Sequence, residues 1–232
     1  MIISGLQKMT LLDFPGRVTC TVFLQGCNFR CPFCHNSGLL GSAQDDTIPV
    51  DELLAFLRKR IGILDGVCIT GGEPTLQKDL PQLLRQIKDM GYYIKLDTNG
   101  SHPNMLEYLA NEKLIDYVAM DIKNCPDRYG ETIGDSKFPA QIERSMVFLM
   151  DGALDYEFRT TVVDELHSEE DILAMGQWLQ KLGKTKRLFL QPYADRDSVL
   201  KPGLHTPSTE KLGRFKEILT PYAEFVDIRG TD

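Results

Sequence analysis

Short apolar runs rich in β-branched and aromatic residues alternate with longer stretches whose apolar positions recur at helical spacing. The runs "RVTCTVFLQG" (17–26), "GVCITGG" (66–72), "YYIKLDTNG" (92–100), "DYVAMDIK" (116–123), "YEFRTTVV" (156–163) and "RLFLQPY" (187–193) predict strands. Helices are predicted over 50–62, 79–91, 103–113, 140–152, 168–183 and 208–222. Proline near the start of the third helix and Ser168 followed by acids before the fifth are N-terminal signals. "EFVDI" (224–228) predicts a short last strand. Six successive strand–helix units imply a parallel sheet with helices packed outside it. With no linker in view, the expectation is one domain over 1–232: a lead-in at 1–16, the six units at 17–222, and a strand and tail at 223–232. An open doubly wound sheet and a barrel, complete or incomplete, both fit this alternation.

Polar residues fall in a pattern of their own. Three cysteines follow the first strand, and "TGGEP" (70–74) ends the second. "DTNG" (97–100) ends the third and "MDIK" (120–123) the fourth, while Arg159 and "QPY" (191–193) mark the fifth and sixth. Parallel α/β folds build their active sites at these carboxyl ends.

Composition removes several classes of function. A net charge of −7, from 33 acidic and 26 basic residues, argues against a nucleic-acid-binding domain. No run approaches the ~18–20 apolar residues that cross a bilayer. The opening "MIISGLQKMTLLDFPGR" lacks the basic-then-apolar order of a signal peptide, so a cytoplasmic location is expected, without a membrane partner. Thiols stay reduced there, and clustered cysteines then point to metal or redox chemistry rather than disulfides.

Cys27, Cys31 and Cys34 lie in "LQGCNFRCPFCHN" (24–36) with C-x3-C-x2-C spacing. Three readings stand: buried thiols that only pack, a structural zinc site with His35 or another group as fourth ligand, and an iron–sulfur cluster. Three thiolates leave the fourth iron of a cubane open to a substrate or cofactor. Cys20, Cys68 and Cys125 are scattered and form no second ligand set, and Cys20 and Cys68 sit inside predicted strands. His102, His167 and His205 fall in loops and carry no readable signal.

The cysteine spacing with Phe33 before the last cysteine, followed by "GGEP" (71–74), resembles the radical S-adenosylmethionine (SAM) enzymes. "FLQGCNFRCPFCHN", "LDTNG" (96–100) and "MDIK" resemble the activating enzymes of glycyl radical proteins. The N-terminal "GLQKMTLLDFPGR" (5–17) is similar to the opening of the anaerobic ribonucleoside-triphosphate reductase activating protein branch.

This resemblance implies an incomplete (β/α)6 barrel of parallel strands, one [4Fe–4S] cluster held by Cys27, Cys31 and Cys34, and SAM across the strand ends. It implies reductive SAM cleavage to a 5′-deoxyadenosyl radical that abstracts hydrogen from a glycine of a partner enzyme. No catalytic side chain is expected beyond the cluster and SAM. Gly71, Gly72 and Glu73 would meet the SAM amino group, although glycines there also suit a tight turn. Phe33 would cover the cluster, or simply pack. Asp97, Thr98 and Asp121, with the Ala119 carbonyl, would bind a monovalent cation beside the SAM carboxylate, helped by Lys123, or form a solvated rim. Arg159 would pair with a carboxylate, either that of SAM or one within the protein.

A flavodoxin- or ferredoxin-type electron donor is expected. Ala194 stands where some relatives carry histidine after a proline–tyrosine pair, which weakens the likeness to pyruvate formate-lyase activation. The competing reading is a small-molecule radical SAM enzyme of the carboxydeazaguanine synthase type. "DIRGTD" (227–232) lacks the aromatic residue that follows the glycine in glycyl radical loops, so the radical carrier is expected to be another chain.

Overall fold

The computed structural model describes residues 1–41, 47–134, 140–152, 154–195 and 199–230. The backbone gathers into two compact units. The first comprises Met1–Asn28, Gly38–Thr98 and His102–Ala119; the second comprises Phe29–Ser37, Asn99–Ser101 and Met120–Asp232. Within each unit the neighbouring strands follow chain order.

In the first unit, β1 (Ile3–Thr10) runs antiparallel to β2 (Thr19–Leu24), pairing Ile3 with Leu24 and Thr10 with Thr19. Next come α1 (Val50–Arg58), β3 (Gly66–Gly71), α2 (Leu80–Asp89), β4 (Tyr93–Thr98) and α3 (Pro103–Asn111). The β2, β3 and β4 strands are parallel neighbours. Val22, Leu24, Val67, Ile69, Ile94 and Leu96 are fully buried along them. Helices α1 and α2 bury Leu53, Leu54 and Leu57, and Leu80, Leu83, Leu84 and Ile87. Each such side chain contributes about 1.5–3 kcal/mol on burial.

Strand β1 lies where only a lead-in is expected. Just Ile3 and Thr10 of its eight residues are buried, so no alternation announces it. Pairing to β2 supplies what its side chains do not. The turn behind it is pinned from several sides. Asp13 accepts from the Thr21 hydroxyl at 2.5 Å, Phe14 packs on Tyr117, and the Arg17 guanidinium lies 3.4 Å from the Tyr93 ring centre.

Strand β5 (Tyr117–Asp121) carries the chain into the second unit. There follow α4 (Pro126–Ile133), α5 (Ala140–Asp151), β6 (Asp155–Val162), α6 (Glu169–Leu182), β7 (Thr185–Pro192), α7 (Thr209–Leu219) and β8 (Ala223–Ile228). The β6, β7 and β8 strands are parallel neighbours. Helix α4 is an addition to the expected set. It starts on Pro126, buries Tyr129 and Ile133, and stops at Gly134 with φ 71°.

Helix α6 begins with a reciprocal cap. The Ser168 hydroxyl accepts from the Asp171 amide at 3.2 Å, and Asp171 accepts from the Ser168 amide at 3.0 Å. Arg229, from the C-terminal "DIRGTD", donates to both oxygens of the fully buried Glu157 at 2.7 and 2.9 Å. A buried carboxylate without such a partner is strongly destabilising. Among the described residues, no helix is long and apolar enough to cross a membrane.

Candidate active site

The site residues of the first unit gather where β2, β3 and β4 end. Gly71 closes β3 opposite Leu24, the last residue of β2. Beyond it the chain is stitched to the approach of the cysteine loop. The Gly72 amide donates to the Leu24 carbonyl at 2.9 Å, and the Glu73 amide donates to the Gly26 carbonyl at 2.7 Å. Glycine is demanded by contact: a Cβ on Gly71 would sit 2.3 Å from the Leu24 nitrogen, and one on Gly72 2.0 Å from the Gly26 oxygen.

Gly26 is fixed on its other side as well, its amide donating to the Leu39 carbonyl at 2.8 Å. Gln25 donates to the Gly41 carbonyl at 2.9 Å and accepts through its own carbonyl from Gln77 at 2.8 Å. Cys27 therefore leaves a rigid platform.

Glu73 is completely buried, and its Oε1 accepts from the Thr75 amide at 3.0 Å, from the Thr75 hydroxyl, and from the Thr98 hydroxyl at 2.7 Å. Asp97 is bonded to Lys95, whose side chain is only 2% exposed. Lys95 went unnoticed in the sequence; its signal is a lone ammonium inside the apolar run "YYIKL".

In the second unit, the segment Phe29–Ser37 is held by the ends of its neighbours. The Arg30 amide donates to the Ile133 carbonyl at 2.8 Å, and the Lys201 amide to the Pro32 carbonyl at 2.9 Å. The Cys34 amide closes a turn on the Cys31 carbonyl at 3.1 Å. His35 stacks on Tyr193 with ring centres 5.4 Å apart, and its Nε2 meets the Ala194 carbonyl at 2.7 Å. At Ala194 it is the backbone carbonyl that makes contact, and the ring comes from the cysteine loop.

Asp121 ends β5 and accepts from Lys123 and from Arg159, each at 3.0 Å. Arg159 thus has an internal carboxylate. Burial pushes the Asp121 pKa up, but the two cations outweigh it and hold the carboxyl at about 2. Burial opposes the Lys123 charge in the same way, yet Asp121, with Cys31 adding to it, raises its pKa above the ordinary value. The Lys123 ammonium lies 5.9 Å from the ring centre of the buried Phe33.

His167 is no loop residue in the ordinary sense: it is buried. Its Nδ1 accepts from the Val163 amide at 3.1 Å, and its Nε2 reaches the Lys123 carbonyl at 3.0 Å. The neutral ring with its proton on Nε2 satisfies both. Burial lowers the pKa below 6.5. The folded state therefore binds fewer protons than the unfolded chain below that pH. The stability it contributes is whole above pH 6.5 and falls as pH drops toward the folded pKa. Urea midpoints measured from pH 7 to pH 5 are expected to fall for the wild type and to fall less steeply for His167→Gln. Equal slopes would remove His167 as the cause.

The donor set suits an iron–sulfur cluster. Cys27 and Cys34 are half-buried and Cys31 is buried on a loop, and all six cysteines are thiols. A thiol must ionise to bind iron. Burial pushes the Cys20 thiol up to about 12 and raises that of Cys125, so these two stay protonated. Among the described residues, no three His, Cys, Asp or Glu side chains converge on one ion. A cubane distributes its thiolates over separate irons and needs no such convergence.

Comparison with known proteins gives the family. The profile of the radical SAM superfamily matches residues 21–179. The chain belongs to that superfamily, within its glycyl-radical enzyme activating enzymes. It is 32% identical over 98% of its length, and 95% of the other chain, to a Methanocaldococcus jannaschii protein provisionally named a glycyl-radical enzyme activating enzyme. It is 30% identical to a pyruvate formate-lyase-activating enzyme of Streptococcus mutans, over 83% of this chain and 77% of that one. The fold is also that of a radical SAM methyltransferase from Sphaerobacter thermophilus. There the TM-score is 0.70 at 19% identity, covering 96% of this chain and 69% of that one. The family's cofactors are a [4Fe–4S] cluster and SAM.

Proposed function

We propose that the chain generates a glycyl radical in a separate enzyme, with anaerobic ribonucleoside-triphosphate reductase as the named candidate. The observation that carries the reading is the pair of backbone bonds from Gly72 and Glu73 to Leu24 and Gly26, one residue before Cys27. They tie the turn suited to a SAM amino group to the loop suited to a cluster.

Cys27, Cys31 and Cys34 would hold the cluster, and Phe33 would cover it. Bound together and reduced by one electron, from a flavodoxin- or ferredoxin-type donor, the cluster and SAM supply a 5′-deoxyadenosyl radical. The chain's own work is orientation and exclusion of water. Gly71 and Gly72 let backbone come close to the ligand. Glu73 is aimed by three donors on one oxygen. Arg159 and Lys123 would face the SAM carboxylate while balancing Asp121. A monovalent cation at this carboxylate would have to share Asp97 with Lys95 and Asp121 with Lys123 and Arg159.

The likeness to glycyl-radical enzyme activating enzymes along nearly the whole chain supports a protein substrate. The test is anaerobic: reduced protein, SAM and a candidate reductase, read by electron paramagnetic resonance. A glycyl doublet on the reductase is expected. Deoxyadenosine formation without a doublet on any glycyl radical protein, while a small metabolite is consumed, would replace this reading with the small-molecule one.

A further inference from the structure

We propose that the buried ammonium of Lys95 takes the place of a monovalent cation at Asp97, so that SAM binding by this chain is indifferent to potassium and sodium. The inference rests on the SAM-binding reading above and deepens it.

Side chains alternate along a strand, so Lys95 and Asp97 project to the same face of β4. The parallel register sets Cys68 of β3 opposite Lys95. The Lys95 ammonium bonds the Asp97 carboxylate and lies 3.8 Å from the Cys68 sulfur, while the Cys68 thiol lies 3.8 Å from Asp97 Oδ1. These three groups form a compact cluster within one unit. A lysine head removed from water is tolerated only against a negative partner, and Asp97 is that partner.

The consequence for a metal cation is direct. An alkali ion is held by carboxylates through unopposed charge. At Asp97 that charge is already met, and a second cation beside an ammonium is repelled, more strongly where water is scarce. The Thr98 hydroxyl, expected as a further ligand, is turned to Glu73 at 2.7 Å. Asp121 shows the same economy within its own unit, with Lys123 and Arg159 both at 3.0 Å. Each carboxylate expected to bind the cation thus has a positive side chain of its own.

SAM affinity of the reconstituted, anaerobic protein is measured by equilibrium dialysis in choline, sodium and potassium chloride at equal ionic strength. Wild-type affinity is expected to agree within about twofold across the three salts, because no ion is part of the site. Lys95→Ala is expected to bind SAM about tenfold or more weakly in choline, with most of the loss, about 1.4 kcal/mol per tenfold, returned by potassium. Thallium(I) resonance gives a readout independent of turnover: the variant, and not the wild type, should bind the ion. Potassium strengthening wild-type binding tenfold would overturn the proposal, and so would a Lys95→Ala protein with wild-type affinity in every salt. If that variant does not fold, the wild-type salt series decides alone. No SAM binding in any salt would instead sink the SAM reading itself, and this inference with it.

Discussion

Alanine at Cys27, Cys31 or Cys34 is expected to abolish cluster iron, whereas alanine at Cys20, Cys68 or Cys125 leaves it in place. Anaerobic reconstitution of the wild type should load about four irons and four sulfides per chain, as one cubane requires. The two sets of cysteines differ in environment. Cys20, Cys68 and Cys125 are sealed in the interior, and burial holds the Cys20 thiol at about 12. Cys27 follows Gly26, whose amide and carbonyl are both bonded, and Cys31 and Cys34 share a turn. Losing one of three thiolates removes a ligand that no neighbouring cysteine can replace, so the effect should be all but complete. Iron and sulfide analysis with the visible absorption of the cluster checks it. Stoichiometric zinc without iron, or full iron in Cys31→Ala, would defeat the assignment.

Strands β2, β3, β4 and β5 were legible because they are buried along nearly their whole length and read as apolar runs, as "GVCITGG" does. Their polar carboxyl ends were legible because Asp97 and Asp121 break apolar runs where β4 and β5 end. Strand β1 was not legible, since its order comes from backbone pairing to β2 while Gln7, Lys8 and Met9 face solvent. Helix α4 is short and carries Gly130, which hides its period.

His35 stood out in the sequence only as part of the cysteine motif, and His167 not at all. One stacks on Tyr193 and the other bridges two backbone segments, and only tertiary packing reveals either role. Lys95 shows the limit most clearly. A lysine in a strand reads as a solvent-facing residue, and its burial depends on Asp97 two residues on and Cys68 on the neighbouring strand.

Gly72→Ala should cost the protein SAM affinity by about a hundredfold, roughly 2.8 kcal/mol at 1.4 kcal/mol per tenfold. The new methyl would lie 2.0 Å from the Gly26 carbonyl oxygen and 2.5 Å from its carbon. Both obstacles are backbone, so no rotamer relieves them, and overpacking of this kind typically costs about 1–3 kcal/mol. The Gly26 carbonyl also accepts the Glu73 amide at 2.7 Å, so displacing it breaks the bond between the two loops. Cys27 is the next residue, and iron retention should fall along with SAM affinity. Gly71→Ala should behave alike, since its Cβ would meet the Leu24 nitrogen and oxygen at 2.3 and 2.4 Å and its φ of 120° resists a side chain. Gly213 in α7 is the control: a Cβ there meets nothing within 4 Å, and alanine should stabilise the helix by up to about 1 kcal/mol. Dialysis against SAM, iron analysis and thermal melts separate the cases. A Gly72→Ala protein that keeps its melting temperature, its iron and its SAM affinity would mean that Gly26 yields at no cost, and the coupling of the glycine turn to the cysteine loop would have to be given up.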